Sequence, residues 1–318
     1  MSPHIAVIIP SYRVKAHVMH VIERIGPEVT GIYVVDDACP ERSGEHVAAV
    51  CKDPRVKVIF HEQNQGVGGA TLTGYAAALN DGAEILVKLD GDGQMDPALI
   101  ARFTLPIVRG QADYTKGNRF YDLSQLVHMP KMRLLGNAGL SFMAKLSTGY
   151  WNLFDINNGF TALHAKAARC LPFDKISKRF FFESDILFRL GTVRAVVVDI
   201  PMHAKYGDET SNLSIGKVVG EFLGKHSRNF AKRIFYNYFL RDMTVASLEL
   251  VFGLGMLLFG LIYGGIHWAE AVSNGVATPL GTIMLAALPT MLGLQLLLAF
   301  IGYDVAAVPR RPIHPDLS

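Results

Sequence analysis

The sequence predicts an α/β domain built on a mainly parallel sheet, followed by a C-terminal part directed to a membrane. Short apolar, β-branched runs alternate with segments of helical period up to about residue 118, and polar, glycine-containing loops follow the runs. Continuous apolar strands must be covered by helices on both faces, which is the signature of βα units. Of the 318 residues, 50% are hydrophobic and 19% charged, and most of the apolar excess lies after Val245. That uneven distribution separates a polar-punctuated domain from a membrane segment.

The elements follow in order. Strands are expected at IAVIIP (5–10), GIYVVDD (31–37), VKVIF (56–60) and EILVKLD (84–90), with helices at 15–25, 43–52, 66–80 and 97–109 between and after them. A fifth strand is expected just before Arg119. Residues 119–212 are less regular, with a helix at 131–149, a turn at Asn157-Asn158-Gly159, a helix around Glu183–Leu190 and a strand at Ala195–Ile200. Pro10-Ser11-Tyr12, Asp36-Asp37-Ala38 and Asp90-Gly91-Asp92-Gly93 each follow a strand. In open α/β sheets ligands bind outside the carboxyl ends of strands, so these loops are expected to share one crevice.

The start, MSPHIAVIIPSYR, reads as a first strand and lacks the apolar run and cleavage site of a signal peptide. Cys39, Cys51 and Cys170 are odd in number and lack metal-ligand spacing, which argues against a disulfide framework or zinc site and fits a reducing compartment. A net charge of +3 is too mild for a nucleic-acid binder. Between Ile215 and Arg241, Lys217, Lys225, Arg228, Lys232, Arg233 and Arg241 alternate with apolar and aromatic residues, as in a helix lying on an anionic membrane surface. Apolar runs at about 245–268 and 278–303 each exceed the ~20 residues that cross a bilayer core. The loop between them has no Lys or Arg, whereas Arg310-Arg311 follow the second run. The positive-inside rule then places both flanks, and the N-terminal domain, on the cytoplasmic face of a cell membrane. The expected organisation is a catalytic domain at 1–214, interfacial helices at 215–244, two spans at 245–304 and a cytoplasmic tail at 305–318.

The chemistry is concentrated in EILVKLDGDGQMDP, where a strand delivers Asp90 and Asp92 to a tight glycine turn. Paired carboxylates on such a loop suit Mg²⁺ or Mn²⁺ that also holds a diphosphate. Asp37, beyond a buried strand, can accept hydrogen bonds from a base or ribose, while Asp36 can cap the next turn. In order and spacing, IIPSYR, VVDDACP, NQGVGGATLTGYAAA, DGDGQMDP and GNRF resemble family 2 glycosyltransferases of the GT-A fold. With the C-terminal spans the chain resembles the branch containing dolichyl-phosphate mannose synthase and bacterial polyprenyl-phosphate glucosyltransferases. That family usually continues the first motif with Asn-Glu and the second with Gly-Ser, where this chain has Arg13-Val14 and Ala38-Cys39.

The resemblance implies a Rossmann-like GT-A domain in which Pro10, Tyr12, Asp37, Gly69, Asp90, Gly91 and Asp92 bind a UDP- or GDP-linked sugar. It places Asp90, Asp92 and Gln94 around a divalent cation. Arg119, Arg133 and Asn137, with Asn158 in the segment from Asp155 to Phe160, are implied at the acceptor phosphate, since guanidinium forks match phosphate oxygens. Glu183 and Asp185 stand where relatives with hydroxyl acceptors keep a base. Lys205 and Glu209 match a loop that closes over the substrates, with His203 beside it. The function expected is inverting transfer of a sugar from the nucleotide to a polyprenyl phosphate, undecaprenyl or dolichyl, feeding envelope polysaccharide or glycan modification. Catalysis would rest on Asp92, Arg119, Arg133 and Asp185. The alternatives are transfer to a hydroxyl of a lipid-linked glycan, with Glu183 or Asp185 as base, and a membrane-tethered binding protein. Membrane lipid is an expected partner and nucleic acid is not; a homo-oligomer stays open.

Overall fold

The computed structural model describes residues 3–121, 131–202 and 215–317, with the backbone alone for 131–135, 137 and 215–219. Strands β1 (Ile5–Ser11), β2 (Gly31–Asp36), β3 (Val56–Phe60), β4 (Ile85–Lys88), β5 (Tyr114–Asn118), β6 (Thr161–His164) and β7 (Val197–Pro201) form one seven-stranded sheet. Its order is β3-β2-β1-β4-β6-β5-β7. Every neighbouring pair is parallel except those made by β6, which runs antiparallel to β4 and β5.

The alternating helices are α1 (Val18–Glu23), α2 (Ser43–Val50), α3 (Val67–Asn80), α4 (Ile100–Val108, after a 3₁₀ turn at Pro97–Leu99), α5 (Lys131–Thr148), α6 (Ala165–Arg169) and α7 (Phe182–Thr192). β1, β2 and β4 are almost wholly buried because helices cover both faces, so their side chains read as apolar runs, with Lys88 the exception in β4. Val7, Ile9, Val34 and Val87 meet Phe103 of α4 and Phe160, whose rings stack at 3.9 Å. β6 and α6 fall in the stretch the sequence pattern leaves irregular. Four residues, Thr-Ala-Leu-His, are too short to show a period. β4 also ends earlier than the apolar run, so that Leu89 and Asp90 already leave the sheet.

The chain forms two compact units, residues 1–230 with 309–318, and residues 231–308. The part of α8 (Ile215–Phe235) up to Phe230 belongs to the first and is fastened at its described positions. His226 Nδ1 lies 2.7 Å from Ser147 Oγ, Phe181 packs edge-on against Phe222 and His226, and Asn229 donates to Asp185 at 3.0 Å. Burial lowers the His226 pKa to about 4. The C-terminal segment belongs to the same unit. Asp113, fully buried, accepts from the Ile313 and His314 amides, from the Val196 amide at 2.8 Å and from His314 Nδ1 at 2.7 Å. The His314 ring stacks on His164 at 4.1 Å, and Lys166 Nζ donates to the Leu317 carbonyl.

The second unit is a helical pair, α9 (Val245–Asn274) and α10 (Leu280–Ala306), preceded by a π-helical turn at Tyr236–Arg241. Thr244 and Ser247 form a capping box at the start of α9, and Gly275 closes it with φ +62°. At 30 and 27 residues, both helices are long and apolar enough to cross a membrane. Ile262 and Leu298 are each 59% exposed, which separates them from the core helices of a soluble protein, whose apolar side chains are covered. Arg233 and Asp304 form a buried, two-bonded ion pair at 2.6 and 3.0 Å, and Tyr238 Oη adds a third bond to Asp304. Buried charges require such compensation.

The helices approach closely at glycines. A Cβ on Gly293 would lie 2.5 Å from Leu257 N, and one on Gly260 would lie 2.7 Å from the Ala286 carbonyl and 2.8 Å from Thr290 N. Besides the Thr290 hydroxyl, which also crowds Gly260, these obstacles are backbone, so the helices would have to part. Gly260→Leu is expected to destabilise the helical pair by about 1–3 kcal/mol, the usual cost of overpacking. Reversible unfolding in mixed micelles measures it; Gly255→Leu, which meets nothing within 4 Å, is the control.

Candidate functional site

Three strand-end loops line one cavity of about 520 Å³: Pro10, Ser11 and Tyr12 after β1, Asp37 after β2, and Asp90, Gly91 and Asp92 after β4. Asn64, Gly66, Val67 and Ala70 complete one wall, so the first turn of α3 and its partial positive charge face the cavity. Arg179 and Phe180 also line the cavity, next to Gly66. Tyr12 and Phe180 are 42% and 60% exposed, so two aromatic rings border the cavity without being packed away.

The two aspartates after β2 are both occupied within the fold. Asp36 accepts the Cys39 amide at 2.7 Å and the Gly44 amide at 2.6 Å, capping the turn into α2. Asp37 accepts the Gln65 and Gly66 amides at 2.8 and 2.7 Å and faces His61 Nδ1 at 2.7 Å. Thr73 Oγ1 lies 2.9 Å from the other His61 nitrogen. Asp37 thereby fixes the loop before α3 from the cavity floor. Gly69, whose amide donates to the Lys178 carbonyl at 2.9 Å, joins that helix to the 177–180 wall.

After β4, Asp90 and Asp92 differ in their surroundings. Asp92 Oδ1 accepts the Gln94 amide at 2.9 Å across the glycine turn. Asp90 Oδ1 accepts from Lys88 Nζ at 2.7 Å, and Lys88 also donates to the Gly159 carbonyl at 3.2 Å and stands 3.4 Å from Glu183 Oε1. Burial works to lower the Lys88 pKa, but Asp90 and Glu183 outweigh it and leave it raised. Burial raises the Glu183 pKa, Lys88 opposing and Asp90 assisting.

A second cluster follows β5. Arg119 grips Asp155 through Nε at 2.7 Å and Nη2 at 2.9 Å, and its amide adds a bond at 3.1 Å. Asn158 reaches Asp155 at 3.2 Å and accepts the Phe160 amide at 2.9 Å, bracing the turn before β6. Although burial favours the neutral acid, the hydrogen bonds of Arg119 and the charge of Lys116 hold the Asp155 carboxyl below its usual range. Lys116 is buried beneath, its ammonium donating to the Asp155 carbonyl. Asp185 accepts the Ser177 amide at 2.8 Å and the Asn229 amide group at 3.0 Å. Arg133 and Asn137 lie on α5, and their side chains fall outside the described residues, as do His203, Lys205 and Glu209.

Comparison with known proteins decides the family. Residues 6–171 match the model of glycosyl transferase family 2. The chain is 30% identical over 218 residues to an undecaprenyl-phosphate mannosyltransferase of Micrococcus luteus, a match spanning 67% of this chain and 88% of that protein. The chain belongs to glycosyl transferase family 2.

A second relative is a UDP-N-acetylglucosamine–dolichyl-phosphate N-acetylglucosaminyltransferase of Methanococcus voltae, 28% identical over 68% of this chain and 91% of that protein. Among solved structures, mannosyl-3-phosphoglycerate synthase from Rubrobacter xylanophilus superposes with a TM-score of 0.54 at 14% identity, covering 76% of this chain and 77% of that one. Glucosyl-3-phosphoglycerate synthase from Mycobacterium tuberculosis, solved with Mn²⁺, UDP-glucose and phosphoglyceric acid, scores 0.52 at 18% identity over 73% and 79%. At these identities the likeness is one of fold, and the fold is GT-A.

In this glycosyltransferase, motif reasoning overlooked Lys88, Arg179 and Phe180. Lys88 had one signal, a lysine inside an apolar strand, and that pattern usually means an exposed edge position. Arg179 and Phe180 lie beyond the family match and reach the cavity only through tertiary packing. The departure at Ala38-Cys39 has a structural reading. Ala38 sits at φ +52°, the left-handed region, and Cys39 Sγ accepts the Arg13 amide at 3.0 Å beside Ser43 Oγ at 3.1 Å. Burial opposes ionisation of Cys39, but these bonds outweigh it and lower the pKa. An L-residue pays about 1–2 kcal/mol for that backbone conformation, whereas glycine loses about 0.5–1 kcal/mol through unfolded-state entropy. Ala38→Gly is therefore expected to raise stability by up to about 1 kcal/mol and Ala38→Val to lower it, read as shifts in thermal unfolding midpoint.

Proposed function

We propose that the chain is an inverting, divalent-cation-dependent hexosyltransferase that moves a sugar from a UDP- or GDP-linked donor to polyprenyl phosphate at the cytoplasmic face of the cell membrane. The observation that carries this reading is the cavity that gathers Asp37, Asp90, Asp92 and the first turn of α3, in a chain that also holds two exposed apolar helices. Two relatives act on undecaprenyl and dolichyl phosphate by name, which supports the acceptor.

Each part of the donor has a counterpart in this reading. Tyr12 and Phe180 offer flat faces for the base. Pro10 and Asp37 shape the floor beneath it. The N-terminal turn of α3 and Arg179 meet the diphosphate. Asp90 and Asp92, hard oxygen donors on a tight turn with Gln94 beside them, fit Mg²⁺ or Mn²⁺ that completes its shell from the diphosphate. Such a cation supplies charge stabilisation to the departing nucleoside diphosphate. A phosphate monoester, with its second pKa near 6, arrives largely anionic and asks for positioning rather than a base. The Arg119–Asp155 pair beside the Asn158 turn supports that positioning, Arg133 and Asn137 of α5 being assigned to the same task.

Glu183 and Asp185 bear on the hydroxyl-acceptor alternative. Glu183 stands against Lys88, and Asp185 bonds Ser177 and Asn229, so each carboxylate has a partner within the fold. Asp185 serves in this reading by tying α7 to α8. Two spans return the chain to the side from which it entered, and the basic residues of 215–241 and Arg310-Arg311 favour the cytoplasmic side for both flanks.

Asp92→Asn is expected to lower transfer at least 100-fold with the fold intact, because a neutral amide binds a divalent cation poorly. Substantial transfer by the unmodified enzyme in chelator would sink the cation assignment. Arg119→Lys, which keeps a cation beside buried Asp155, is expected to raise the polyprenyl-phosphate KM about tenfold, since lysine lacks the guanidinium fork. Donor affinity by calorimetry should stay within threefold. Loss of donor binding with unchanged acceptor saturation would move Arg119 to the nucleotide pocket.

A further inference from the structure

The proposed chemistry asks Asp90 to face a divalent cation, and Asp90 already faces a cation of the protein's own. Lys88 is 1% exposed, and its ammonium sits among Asp90 Oδ1 at 2.7 Å, the Gly159 carbonyl at 3.2 Å and Glu183 Oε1 at 3.4 Å. Gly159 makes this arrangement possible. A Cβ there would stand 2.6 Å from Asp90 Oδ2, so no side chain fits between the β6 turn and the carboxylate. A lysine with that set of partners, drawn from β4, the Gly159 turn and α7, has one position and holds Asp90 in one orientation.

We propose that Lys88 is a positioning residue that anchors the Asp90 carboxylate and acts as its counter-charge, so that the divalent cation is taken up together with the donor diphosphate rather than by the free enzyme. Any divalent ion approaching Asp90 meets a like charge fixed on one carboxylate oxygen, and the repulsion is largest in a water-poor setting. The described residues offer little to offset it. Among the described residues no group of three or more His, Cys, Asp or Glu side chains is placed to hold a metal. The diphosphate supplies both the missing oxygen ligands and the negative charge that tips the balance. The ammonium also gives Asp90 a fixed orientation before the donor arrives, and preorganisation of that kind spares reordering during the reaction.

Lys88→Met alone would leave the largely buried Glu183 and the partly exposed Asp90 without their cation, a strongly destabilising change. The test variant is therefore Lys88→Met/Glu183→Gln, with the fold checked by circular dichroism and melting temperature. Lys88→Gln/Glu183→Gln, whose amide keeps a hydrogen bond to Asp90, replaces it if the first does not fold. Full-length protein in detergent is titrated calorimetrically with Mn²⁺ alone, without nucleotide. The double variant is expected to bind Mn²⁺ at least tenfold more tightly than the unmodified protein, and Lys88→Arg to bind it as weakly. Transfer by the double variant should fall at least tenfold in kcat, with the acceptor KM within threefold. A purely structural lysine would not tighten cation binding. Equal or weaker Mn²⁺ affinity in the double variant overturns the proposal. Because the inference rests on the cation-dependent reading, the unmodified enzyme is also assayed in chelator. Full transfer there removes that reading, whereas chelator-sensitive transfer with unchanged Mn²⁺ affinity in the double variant removes the Lys88 assignment alone.

Discussion

Burying a lysine in the middle of a sheet requires a partner for its charge, and this sheet buries two in one row. Lys88 of β4 pairs in register with Thr161 of β6, Thr161 with Lys116 of β5, and Lys116 with Asp199 of β7. Breaking a buried charge pair costs about 3–5 kcal/mol, so the loops beyond these strands are constrained to deliver acceptors. Asp90, Glu183 and Gly159 come to Lys88, while the Asp155 carbonyl comes to Lys116. Burial is the chief cause that lowers the Lys116 pKa and raises that of Asp199. The two clusters of the site are thus placed by charge compensation in the sheet beneath them.

The reversed strand makes that placement possible. Were β6 parallel to its neighbours, the turn preceding it would lie at the amino ends of β4 and β5, away from the cavity. Running antiparallel, it puts the turn from Asp155 to Phe160 at the carboxyl end, where Gly159 meets Asp90 and Asp155 meets Arg119. The strand-end loops of the family pattern are thereby joined by a turn that braces Asp90 and Arg119.

How much of this was legible in the sequence follows from the range of each interaction. β1, β2 and β4 are buried on both faces, and burial on both faces is written as an apolar run. α9 and α10 are long, mostly apolar and without Lys or Arg, so length and composition together distinguished them. The loops after β1, β2 and β4 meet because parallel topology brings carboxyl ends together, a rule that needs no alignment. β6 was hidden by its four residues, and Asp113 by its distance of some two hundred positions from His314. Lys88 was hidden differently. Pattern reasoning treats lysine as a surface residue, and only the positions of Glu183 and Gly159, each far along the chain, reveal that its charge is wanted inside.

The same compensation bears on how an anionic donor enters a cavity lined by Asp37, Asp90 and Asp92. Counted by sequence, three carboxylates should repel a nucleotide diphosphate. Counted by structure, the repulsion is smaller. Two backbone amides and His61 take up Asp37, and Lys88 takes up Asp90, so that most of the negative field on that side is spent within the fold. Arg179 also lines the cavity, and the positive end of α3 lies beside it. An anionic ligand would therefore meet less repulsion there than three free carboxylates would give. That reduction arises because each acid near the strand ends has a different partner, and it would be lost if all of them were equally exposed to water.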